Sequence, residues 1–262
     1  MKQEPKNKTI ERVIALVDLL ANSKTSKKMI EITRELKLNK TSTFRILHEL
    51  ERGQWISCDA DSGMYKIGTK LMEIGLSARQ NTPIAAIAMP FLNELRAITN
   101  ETIALSLRVD NERIFIEEIQ SNRELRYIAP LGKRLPLWAG AVGKVILSFF
   151  KETEKKQYFE ELKQKGLLKL PSGKVVKLKE LQAEINQIQK DGCAISVGDR
   201  DPNTFGIASP IFNHNDEVIG AVGIIGPNER LNKEVIGPYC SLIKKAANDI
   251  NTKMGSNIRF SI

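Results

Sequence analysis

Apolar residues recur at three- and four-residue spacing from Ile10 through Val13, Ile14, Leu16 and Val17 to Leu20. That spacing predicts one stripe on a helix, with Thr9 as its N-cap. The pattern stops near Asn22-Ser23. A second short helix is predicted around Met29, Ile30, Ile32, Thr33 and Leu36. A third follows Asn39 and carries Phe44, Ile46, Leu47 and Leu50. Only Lys37-Leu38-Asn39 separates the last two, which predicts a helix-turn-helix. Trp55-Ile56-Ser57 and Met64-Tyr65-Lys66-Ile67 then flank Asp59-Ala60-Asp61-Ser62-Gly63, the pattern of a β-hairpin. Three helices followed by a hairpin make the winged form of the motif.

The helical pattern resumes over Lys70 to Gln80, with Leu71, Met72, Ile74 and Leu76 apolar. It breaks and restarts at Asn81-Thr82-Pro83, because proline suits the first helical position. Its apolar face could pack against a second subunit. Beyond it a helix is predicted over Ile84 to Ile98, with Pro90 at a kink. Strands are predicted over Thr102 to Val109 and Arg113 to Ile119, helices over Val142 to Phe150, Glu154 to Lys165 and Leu178 to Asp191. Two more strands, Ile207 to Phe212 and Val218 to Ile225, turn through Asn213-His214-Asn215-Asp216, and Leu231 to Ile250 closes the chain as a helix. Adjacent hairpins with flanking helices place the chain in the α+β class, with an antiparallel sheet in its C-terminal part. The expected division is a DNA-binding unit over 1–68, a linker helix over 69–82 and an effector-binding and oligomerisation unit over 83–262.

The 262 residues include 40 Lys plus Arg and 31 Asp plus Glu, a net charge of +9. The balance is ordinary for a globular domain and excludes fibrous and wholly disordered classes. No run of about 18 apolar residues is present, and the basic N-terminus lacks an apolar core, so neither a membrane span nor a secretory signal is expected. The expected location is the cytoplasm. Cys58, Cys193 and Cys240 are odd in number and widely spaced, with only His48 and His214 to assist them, which excludes a zinc ribbon or a disulfide scaffold. The positive charge is uneven: residues 1–45 hold 11 basic and 5 acidic side chains. That asymmetry suits a polyanion. The third helix begins Lys40-Thr41-Ser42-Thr43-Phe44-Arg45, and the N-terminal part of such a helix enters the major groove. Lys40, Thr41, Ser42, Thr43 and Arg45 are the candidate DNA contacts, with Lys66 on the wing near phosphate. The alternative for the hydroxyls, Thr41 above all, is helix capping.

Enzymatic motifs fail. Gly140-Ala141-Val142-Gly143-Lys144 lacks the first glycine and the terminal hydroxyl of a phosphate loop, with Trp138 and Val145 in those places. Gly220, Gly223 and Gly226 have the wrong spacing for a dinucleotide motif and read instead as sites of close approach to a strand. No catalytic residue, metal or cofactor is expected.

Val13 to Leu20, Leu38 to Leu47, Leu50-Glu51-Arg52-Gly53 and Tyr65 to Gly75 resemble the winged helix of IclR-type transcriptional regulators. Leu131 to Lys144, Ile207 to Phe212 and Val222 to Pro227 continue the resemblance in order. The family usually has Gly at the place of Lys37, Pro at that of Asn39 and a capping hydroxyl at that of Lys28. Lys37 at positive φ would carry about 1 kcal/mol of strain, and Thr25 or Ser26 is expected to start the second helix instead of Lys28. The resemblance implies a GAF-like C-terminal domain that binds a small organic effector. The matching positions are Ala139, Gly140, Ala141 and Val142, then Ser196, Gly206, Gly223 and Ile225, with Trp138, Phe205 and Ile128 as apolar walls. Ser196 alone is polar in that set, which points to an apolar or aromatic acid whose carboxylate meets amides at the start of the Val142 helix. The implied partners are double-stranded operator DNA, a small-molecule effector and further copies of the chain, as a homodimer or a dimer of dimers. A GAF-type sensor that acts through a protein partner is the alternative.

Overall fold

The computed structural model describes residues 8–23, 25–171 and 173–262. The basic start of the chain and the first seven residues of the expected DNA-binding unit lie outside the described residues. Two compact units part between Asn81 and Thr82. The helix read as a linker therefore belongs to the first.

That unit runs α1 (Lys8–Asn22), β1 (Lys27–Lys28), α2 (Met29–Glu35), α3 (Lys40–Arg52), β2 (Ile56–Cys58), β3 (Met64–Ile67) and α4 (Thr69–Gln80). Leu16, Leu20, Ile32, Ile46, Leu47, Leu50 and Ile56 form its core. Thr9 already lies inside α1, so it is not the residue before the helix. The apolar stripes are only partly buried: Ile10, Ile14, Ile30 and Phe44 are exposed. Lys37 adopts φ 51, the left-handed turn foreseen for that position. Lys28, not Thr25 or Ser26, precedes α2, because Lys27 and Lys28 are drawn into a strand against Tyr65 and Met64. Its backbone N–H is satisfied by Glu31 Oε2 at 2.7 Å. The wing hairpin pairs Ile56 with Ile67, Ser57 with Lys66 and Cys58 with Tyr65. Asp59 Oδ1 closes the turn by accepting from Ser62 N–H and Oγ–H.

The second unit runs α5 (Pro83–Thr99), β4 (Thr102–Val109), β5 (Glu112–Ile119), β6 (Arg134–Pro136), α6 (Ala141–Ser148), α7 (Glu152–Lys165), β7 (Leu168–Lys169), β8 (Val175–Val176), α8 (Leu178–Asp191), β9 (Ala194–Val197), β10 (Thr204–Phe212), β11 (Val218–Pro227) and α9 (Lys233–Lys253). Six strands form an antiparallel sheet in the order β6-β5-β4-β11-β10-β9. Strand alternation divides the core between the two faces. Ile103, Leu105, Ile207, Ile211, Val222 and Ile224 pack with Leu92 of α5 and Ile243 of α9. Ala104, Ala208, Ala221 and Phe212 face the layer of α6, α7 and α8. This face is built of small residues because α6 lies close upon it: a Cβ on Gly223 would stand 2.8 Å from Val142 Cγ2. Cys193 and Cys240 are free thiols whose Sγ atoms are 3.0 Å apart, and Cys58 is free on the wing. No helix among the described residues is long and apolar enough to cross a membrane.

Candidate functional site

Two surfaces carry the chemistry, one in each unit. In the first, α3 begins where Asn39 Oδ1 accepts from Ser42 N–H at 2.7 Å. Asn39 is thus the cap, a side-chain acceptor at the position where the helix needs one, and Thr41 is released from that duty. Lys40, Thr41 and Arg45 are exposed, Ser42 is half-buried, and Lys66 is exposed on β3. Thr43 departs from the reading. It is fully buried, and its Oγ1–H donates to Asn39 O at 3.0 Å, because position 43 falls on the core side of α3 with Ile46, Leu47 and Leu50. Phe44, counted among the apolar positions of this helix, stands on its outer face, 56% exposed. Its ring lies 6.2 Å from that of His48, one turn on. The outer face of α3 therefore carries cations, a hydroxyl and two aromatic rings together. The helical period predicts this arrangement once position 46, not 44, is set inward.

In the second unit a pocket opens beside the start of α6, with about 370 Å³ of empty space when the open solvent at its mouth is counted. Of the positions the resemblance singled out, Gly140, Ala141, Val142, Ser196, Phe205, Gly206 and Ile225 line it. Four other expected positions do not. Ala139 is buried in the core, Trp138 packs against the core of the α6 face, and Gly223 lies beneath Val142. Ile128 is 61% exposed, since the segment between β5 and β6 carries it outward. Residues 113, 115, 127, 199, 200 and 204 complete the lining and were not foreseen. Arg113 and Phe115 alternate on β5, and Arg200 follows β9, a strand too short to leave a clear pattern.

These additions make the pocket more polar than the sequence reading had it. The amides at the start of α6 are already engaged: Gly140 N–H donates to Asp199 Oδ2 at 3.2 Å and Ala141 N–H to Ser196 Oγ at 2.8 Å. They are therefore not free to hold a ligand's carboxylate. Asp199 is engaged a second time, by Lys144 Nζ at 2.7 Å, and Lys144 also reaches Glu184 Oε1 at 2.7 Å. The lysine that mimicked a phosphate loop is thus committed to two carboxylates. Arg113 is 1% exposed, and its Nε and Nη1 have no hydrogen-bond partner among the described residues; Arg200 Nε has none either. The Arg113 guanidinium lies over the Phe115 ring, 4.6 Å from its centroid. Burial, and after it repulsion from Arg200, lowers the Arg113 guanidinium to about 9. Burial lowers that of Arg200 as well. Among the described residues no cluster of three or more His, Cys, Asp or Glu could hold a metal.

The family model of the bacterial transcriptional regulator IclR C-terminal domain matches residues 76–252. The HTH-type transcriptional regulator KipR of Bacillus subtilis (strain 168) is 32% identical over 250 residues, covering 95% of this chain and 98% of its own. An IclR transcriptional regulator from Alicyclobacillus acidocaldarius superposes with a TM-score of 0.84 at 23% identity, over 96% of this chain and 100% of that one. An IclR homologue from Microbacterium hydrocarbonoxydans, solved in complex with 4-hydroxybenzoate, has a TM-score of 0.80 at 21% identity, over 94% and 98%. The named relatives are transcriptional regulators rather than enzymes. Sequence and fold agree, and the chain belongs to the IclR family of transcriptional regulators.

Proposed function

We propose that this regulator reads a specific operator through the outer face of α3, with the β2–β3 wing on adjacent phosphate, and that a small organic effector in the second unit's pocket changes that binding. The observation that carries the first half is the exposed set Lys40, Thr41, Arg45 and Lys66 around a capped helix start. An arginine there can fork onto guanine O6 and N7. The second half rests on the pocket and on the neighbour of like fold that holds 4-hydroxybenzoate. The functional form is a cytoplasmic homodimer or dimer of dimers, which sets two recognition helices on half-sites of a near-palindrome. The exposed Met72, Ile74 and Leu76 of α4 fit burial between subunits.

Footprinting of the intergenic DNA beside the protein's own gene, repeated at several salt concentrations, tests this reading. A protected site whose affinity falls steeply with salt is expected, since phosphate contacts release counterions. The absence of any protected site there or among genomic fragments would favour the sensor that works through a protein partner.

A further inference from the structure

The pocket holds more positive charge than its own residues neutralise. Its one acidic lining residue, Asp199, is taken up by Lys144 and by the Gly140 amide. Arg113 and Arg200 remain, the first fully buried and the second half-buried, with Arg113 Nε and Nη1 and Arg200 Nε meeting no acceptor among the described residues. A buried, unpaired guanidinium is strongly unfavourable, and two facing one another are worse. They also flank the same backbone: a Cβ on Gly140 would stand 3.2 Å from Arg200 Cγ and 4.0 Å from Arg113 Nη2. Gly140 has φ 77, a conformation that leaves the space between the two arginines open. The remaining apolar walls are Phe115, Val142 and Ile225.

We propose that the effector is a small organic acid whose carboxylate is held between Arg113 and Arg200 while its carbon body rests on Phe115, Val142 and Ile225. This rests on the effector reading above and adds the two arginines that anchor the acid. A carboxylate supplies two acceptor oxygens, and planar guanidinium groups present paired donors to them. The apolar walls distinguish a carboxylate with a hydrocarbon body from inorganic phosphate, whose remaining oxygens would lose their water against Phe115 and Ile225. An uncharged amide of the same shape would leave both guanidiniums unbalanced.

The test is thermal melting of the full-length protein with benzoate or 4-hydroxybenzoate at about 20 mM, against benzamide, 4-hydroxybenzamide, inorganic phosphate and sodium chloride at equal concentration. The acids are expected to raise the melting temperature by about 3 °C or more, a shift that about 1 kcal/mol of ligand stabilisation produces in a chain of this size, and the four controls are not. Without ligand, Arg113→Met and Arg200→Met should melt no lower than wild type, since each removes a cation with buried N–H groups that have no acceptor, and neither should respond to the acids. Both variants should still bind the footprinted operator. Equal protection by the amides overturns the proposal, as does protection by phosphate alone, a failure of both acids to protect, or an undiminished acid response in both variants. Marked destabilisation of both variants in the absence of ligand overturns it too, by showing that the arginines serve the fold. A protein that binds acids but no operator would refute the regulatory reading and leave this one standing.

Discussion

Lys144 Nζ and Asp199 Oδ2 lie 2.7 Å apart behind the pocket, joining α6 to the segment that follows β9. The same carboxylate oxygen accepts from Gly140 N–H, so one ion pair holds the helix start, the pocket rim and the loop that carries Arg200. Removing one partner leaves the other charge buried. Lys144→Met is therefore expected to destabilise the protein by about 3–5 kcal/mol, read by urea denaturation. A loss below about 1 kcal/mol would show the pair to be solvated and no strut of the pocket.

On α3, exposure separates the proposed contacts from the supporting residues. Arg45→Ala should weaken operator binding by about 1–3 kcal/mol and relax one base position. Thr43→Ala should instead lower folding stability by about 1 kcal/mol, because its hydroxyl bonds Asn39 O inside the core, and leave base preference unchanged. Operator selection with both variants, beside their melting curves, checks the division.

Phe44 belongs to the first class although it is apolar. Substituted by Ala, it should change stability by no more than about 0.5 kcal/mol, as exposed positions do. Operator affinity should fall, since an exposed ring beside Arg45 can meet a thymine methyl. If Phe44→Ala melts much lower and binds DNA as wild type does, the ring is a core residue after all.

Acid binding should carry the titration of Arg113. Its folded value, about 9, lies below that of the unfolded chain. Keeping it charged therefore opposes folding at neutral pH, and that opposition is relieved as pH rises through about 9. A bound carboxylate favours the charged form and raises the value again. Affinity for the acid is expected to be level below about pH 8 and to fall above about pH 9, with proton uptake on binding near the turning point. Calorimetry in two buffers of different ionisation enthalpy reads both. Level affinity throughout would show that the Arg113 guanidinium stays charged across this range.

Much of the fold was legible because hydrophobic period is a local signal. The strands at Thr102–Val109 and Glu112–Ile119, and the helix Leu178–Asp191, lie where alternation and three-to-four spacing put them. Positive φ at Lys37 was suggested only by the resemblance, in which glycine takes that place. The α1 stripe and Phe44 misled, since a period marks an apolar face and does not say whether anything covers it. The pocket was half legible: glycines and small residues at the start of α6 mark a close approach, whereas Arg113 and Arg200 read as two basic residues among forty. Their role depends on burial and on which acids are already paired, neither of which is written locally. The last six residues had no reading. Phe260 packs edge-on to Phe149, with ring centroids 5.5 Å apart, and its backbone N–H and C=O are both held by Asn248. Those contacts are non-local, so no pattern in the tail announced them.

Operator binding measured with and without acid tests the central claim most directly. The footprinted fragment is titrated by fluorescence anisotropy with wild type and with Arg113→Met, in the absence and presence of about 20 mM 4-hydroxybenzoate. A shift of about fivefold or more in the wild-type midpoint, the scale of a typical coupling between two sites, and none in the variant, is expected. Coincident wild-type curves, in a protein that the same acid protects from melting, would contradict the coupling of the two units.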